Sequence, residues 1–81
     1  MRMRVTSYID ILSRPEDDFY IDVITEDDSY SVWLGNRQSI YKRLVCKRDK
    51  DIEINVFISW VLSQEKMIEN AKNAFKAKFF A

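Results

Sequence analysis

Histidine is absent from this chain of 81 residues, and cysteine, glycine and proline occur once each. Without histidine there is no imidazole acid–base pair, no Cys–His dyad and no His-containing zinc site. A single thiol, Cys46, makes neither an internal disulfide nor a thiolate zinc site. A single glycine, Gly35, excludes the phosphate-binding loop and the dinucleotide fingerprint, which both need several. The densest apolar run, Ile52 to Leu62, is far below the ~18 residues that a membrane span requires. Met1-Arg2-Met3-Arg4 has no signal-peptide pattern. The expectation is a reducing, cytoplasmic home with no membrane association. Net charge is also missing: acids and bases balance to zero, which argues against a general polyanion binder and gives little protection against self-association.

What is present supports a packed domain. Apolar residues make up 47% and aromatics 14%, a composition of core and not of disorder. The length allows one domain, residues 1–81, with a small core. Met3 to Ser13 carries Val5, Ile9 and Ile11 at one parity and reads as a strand, with a short helix as its rival. Arg14 to Asp18, with Pro15, reads as a turn. Phe19 to Glu26 alternates cleanly, with Phe19, Ile21, Val23 and Thr25 on one face. After a turn at Asp27-Asp28, Ser29 to Leu34 returns with Tyr30, Val32 and Leu34 on one face and Trp33 on the other. Gly35-Asn36 ends this strand, a place where a positive φ is tolerated.

Residues 38–47 are ambiguous. Ile40, Tyr41, Leu44 and Val45 make a helical stripe; as a strand, Ile40, Leu44 and Cys46 share a face. The stripe tips the reading toward helix. Downstream, Phe57, Val61, Ile68, Ala71, Phe75 and Phe79 follow helical spacing, and an extended entry at 51–55 precedes a helix over about 56–79, capped by Asn55. The fold class that follows is α+β: a small antiparallel sheet over about 3–34 packed on a long C-terminal helix. A four-stranded meander with one helix is the alternative.

The charge is blocked along the chain. Glu16, Asp17, Asp18, Asp22, Glu26, Asp27 and Asp28 face Arg14 alone, whereas Arg37, Lys42, Arg43, Lys47, Arg48 and Lys50 face Asp49 alone. If the fold separates these blocks, the domain is electrically dipolar and can stack head to tail. The basic block, with Tyr41 inside it and Trp33 before it, suits phosphate contact and base stacking, so nucleic-acid binding through Arg37, Lys42, Arg43, Lys47 and Arg48 is one candidate function. Solvated turns and strand edges account for the same charges without a function. Lys47 and Arg48 beside Cys46 would lower its thiol pKa, though a buried small hydrophobe is the plainer role.

The lengths of the elements favour another function. A straight helix over 56–79 runs ~36 Å at ~1.5 Å per residue. An eight-residue strand covers only ~26 Å. Phe75, Phe79 and Phe80 would then overhang the sheet and call for a partner, with Trp33 a further contact on the sheet. The expectation is a non-enzymatic protein-interaction module, an adaptor or inhibitor without metal or cofactor, which binds a protein partner or itself as a homodimer.

Overall fold

A computed structural model gives the fold and describes residues 6–9 and 18–80. Four antiparallel strands follow one another as a meander: β1 (Thr6–Ile9), β2 (Phe19–Thr25), β3 (Ser29–Asn36) and β4 (Lys42–Asp49), in the order β1-β2-β3-β4. Two helices follow, α1 (Ile54–Ser63) and α2 (Glu65–Phe79). The architecture is the expected α+β layer of an antiparallel sheet and C-terminal helices. The turn around Pro15 lies outside the described residues.

The alternation read from the sequence decides which face is covered. Val23 pairs with Val32 and Ile21 with Leu34, so one face of the hairpin is continuously apolar. Phe19, Ile21, Val23, Tyr30, Val32 and Leu34 are all buried there, against Phe57 and Val61 of α1 and Ala71 and Phe75 of α2. Phe57 and Phe75 are fully buried, and each contributes about 1.5–3 kcal/mol by leaving water. Two aromatic groups anchor the helices at opposite ends of the hairpin. Tyr30 stacks on Phe57 at 5.1 Å, and its hydroxyl donates to the Ile52 carbonyl at 2.8 Å, which fixes the entry to α1. Phe19 meets Phe75 edge-on at 5.4 Å beneath α2.

Three expectations about boundaries give way to the structure. The sheet does not end at residue 34, because 42–49 is strand β4 and not helix. β3 would otherwise leave one side of its backbone unpaired, and β4 supplies the partner. The Leu44–Val45 half of the helical-looking stripe lies at a bulge in the ladder between Val32 and Trp33, while Ile40 and Tyr41 precede the strand and are exposed. Cys46 stands opposite Val32 and Leu44 opposite Trp33, leaving Val45 as the extra residue. Val45 and Cys46 both pack against the core, an adjacency that a regular strand does not give. The C-terminal helix is likewise not one rod over 56–79. It starts at Ile54 and breaks at Gln64 (φ −90°, ψ 66°). At the break the Ser63 hydroxyl donates to the Trp60 carbonyl at 2.6 Å, and the Gln64 amide tightens onto the Val61 carbonyl at 3.0 Å. Such a serine back-bond competes with the helical ladder and bends it. Finally, Asn55 is not the cap. Glu53 holds that position without a side-chain bond to the helix, and Asn55 donates to the Glu53 carboxylate instead.

Gly35 also has a different task from the one expected. Among the described residues no φ is positive. Gly35 lies inside β3 opposite Tyr20, and a Cβ there would fall 2.3 Å from the Tyr20 ring. The missing side chain makes room for that ring.

Candidate interaction surfaces

The residues expected to form a partner site do not converge. Phe75 is fully buried in the core against Phe19 of β2, and not in an overhang. Phe79 is half-buried, stacked face to face on Tyr41 at 4.7 Å. Phe80 packs edge-on to Phe75 at 5.6 Å and remains 48% exposed. Trp33 is half-buried on the other face of the sheet, where its indole N–H donates to the Ser31 hydroxyl at 3.1 Å. A sheet lies between Trp33 and the phenylalanines, so they form no single patch.

The basic residues are divided in the same way. Lys42 stands opposite Gly35 and Lys47 opposite Ser31, on the face away from the helices; Arg43 opposes Leu34 and Arg48 opposes Tyr30, on the helical face. Arg37 lies beyond, in the turn after β3. Several are engaged within the fold. The Lys42 ammonium donates to the Asp22 carboxylate at 2.8 Å, and the Arg48 guanidinium to Asp51 at 3.2 Å. Lys50 of the same block donates to the Glu26 carbonyl at 3.0 Å. The meander thus places the basic strand close to the acidic hairpin. The described part of the acidic block, from Asp18 to Asp28, is thus a neighbour of the basic strand, whereas Arg14, Glu16 and Asp17 lie outside the described residues.

Asp22 is 2% exposed, and its bond to Lys42 is the most buried charge contact among the described ion pairs. The bond to Asp22 raises the Lys42 pKa, against a smaller opposing effect of burial. Cys46 takes the plainer of its two expected roles: it packs half-buried against the core, and burial pushes its thiol pKa up. Among the described residues no cluster of three or more Cys, Asp or Glu is placed to hold a metal ion. No helix of the described chain is long and apolar enough to cross a membrane.

Two surfaces that the spacing alone did not single out emerge instead. The first is the outer face of α1. All ten residues of this helix are uncharged, yet only Phe57 and Val61 are buried. Val56 (56% exposed) and Trp60 (42%) stand one turn apart on the solvent side, with Asn55, Ser59 and Ser63 around them. Trp60 is held by stacking on Phe57 at 5.9 Å. The exposed side therefore mixes two large apolar side chains with three small polar ones and carries no charge. The strand-like alternation of 52–60 concealed this face; the absence of any charge over 54–63 was the signal for it. The second is an open groove of about 570 Å³ between β4 and α2, lined by Arg43, Leu44 and Val45 on the strand side and by Lys66, Met67, Asn70, Ala71 and Ala74 on the helix side. It depends on β4 being a strand, and a helical reading of 38–47 hides it. No family model, curated protein or solved structure matches the chain, so its function is read from these surfaces alone.

Proposed function

We propose that this protein is a cytoplasmic protein-interaction module without catalytic activity, and that it self-associates through its C-terminal helical layer. One observation carries the reading: α1 is uncharged along its whole length and still presents Val56 and Trp60 to solvent. Apolar side chains held by the fold at helical spacing make a preorganised contact, and an aromatic anchor is the usual centre of one. A second copy suits this face. A two-fold contact sets each surface against itself, which an uncharged face tolerates and a charged one resists. The zero net charge of the chain adds no long-range repulsion.

Sedimentation equilibrium on the wild type and on Trp60→Glu tests the reading. The wild type should show a concentration-dependent dimer and Trp60→Glu a folded monomer. A wild type that stays monomeric at every concentration sinks the proposal. A dimer abolished by Phe80→Ser but untouched by Trp60→Glu moves the contact to the end of α2. Nucleic-acid binding has weaker support, since its five cations are divided between the two faces of the sheet and the β3–β4 turn. Oligonucleotide binding at low salt, lost in Arg43→Glu, would revive it.

A further inference from the structure

We propose that the groove between β4 and α2 accepts an extended peptide segment of a partner protein, which adds as a fifth strand to β4. The occupant carries apolar residues flanked by carboxylates. This site is separate from the α1 face and does not depend on self-association.

Three features support the assignment. First, β4 ends the strand order β1-β2-β3-β4, so among the described residues no strand pairs with its outer side. An open edge is a template for another strand, and an extended peptide that pairs with one gains main-chain hydrogen bonds. Second, α2, which packs over the sheet, gives the groove its other wall. Tyr41 on Phe79 places the beginning of β4 beside the end of α2, so the two elements run in opposite directions along the groove. Met67, Ala71 and Ala74 form its apolar side; the two alanines keep it wide enough for incoming backbone. From Lys66 to Ala74 the helix advances ~12 Å, which equals about four residues of strand at ~3.3 Å each. Third, the charge selects the occupant. The ionic residues in the lining are Arg43 and Lys66, both cationic. Arg43 comes at the start of β4 and Lys66 at the start of α2, so the opposed directions put them toward opposite ends of the groove. Among the described residues neither forms an ion pair. Carboxylates flanking a short apolar strand would meet both.

A phage-displayed library of random linear peptides, panned on the wild type and counter-selected on Ala74→Glu, tests the proposal. Ala74→Glu puts bulk and negative charge into the groove at a helical position. Lys66→Glu reverses one exposed cation and serves as a second variant that does not disturb packing. Enriched peptides should alternate apolar residues and carry acidic flanks. The strongest should shift the amide resonances of residues 43–47 in ¹H–¹⁵N spectra and bind both variants about ten-fold or more weakly. Enrichment of no wild-type-selective sequence overturns the proposal, as do binders whose shifts map to α1 or whose affinity survives both variants. Shifts of residues 43–47 on concentrating the protein alone would assign the edge to a second copy and overturn it too. Trp60→Glu should leave peptide binding unchanged, so failure here and failure of the α1 contact are read separately.

Discussion

Lys42 reaches its carboxylate across a bare stretch of backbone. It stands opposite Gly35, and Gly35 opposite Tyr20; Asp22 is the next residue of β2 on that face. With no Cβ at Gly35, the Tyr20 ring lies down over β3 and the Lys42 ammonium comes within 5.7 Å of its centre on the way to Asp22. The parity of Tyr20 and Asp22 was legible in the sequence. Their link to Lys42 was not, because it joins residues twenty apart through a strand whose register the sequence does not encode locally. Replacing Lys42 with methionine takes the cation from a buried carboxylate and should cost about 1–3 kcal/mol near neutral pH. The folded pKa of Lys42 is raised above its ordinary 10.5 by the bond to Asp22. Its contribution is therefore complete below that ordinary value and is lost as pH rises through the folded value. Urea unfolding of wild type and Lys42→Met across this range checks the point. The two stabilities should converge on the alkaline side; a gap that stays constant with pH would contradict it.

Among the elements, β2, β3 and the helical stripe Phe57, Val61, Ala71 and Phe75 were readable because each follows one period from end to end. β4 was legible only as the alternative, a fourth strand of a meander, since its bulge sets Leu44 beside Val45 and breaks the alternation. The break in the helix was hidden for another reason: Ser63 and Gln64 are ordinary helix residues by propensity, and only the back-bond to Trp60 and the packing of both halves on one sheet reveal the bend. The bulge makes its own prediction. Val45 is the residue that the ladder leaves over, so its deletion brings Leu44 next to Cys46 with both still opposite their present partners, Trp33 and Val32. The deletion should therefore keep the Lys42–Asp22 register and cost only the half-buried valine contact, about 1–2 kcal/mol. A one-residue slip in regular pairing would instead turn Lys42 to the opposite face. Denaturation midpoints and the alkaline dependence of the deletion variant distinguish the two. A variant that folds but has lost the alkaline component attributable to Lys42 would show that the register had slipped.

At the scale of the whole molecule, the order of elements decides what kind of force can join two copies. The meander sets the acidic turn after β2 against the end of β4: the Lys50 amide donates to the Asp28 carbonyl at 3.3 Å, and the Lys50 ammonium reaches the Glu26 carbonyl at 3.0 Å. Charges that alternate over such short distances leave little field at a neighbouring molecule, since physiological salt screens interactions over about 8 Å. Head-to-tail stacking of charge blocks thus loses the separation that it needs, while the uncharged α1 face keeps its apolar contact. The two modes respond oppositely to salt. Association through Val56 and Trp60 should hold constant or tighten as sodium chloride and then sodium sulfate are added, because sulfate strengthens apolar burial. Association through opposed charges should weaken several-fold over the same series. Sedimentation equilibrium across the two salts measures this directly, and a dimer that dissociates as sodium chloride rises would place the contact on the charged strands and not on α1.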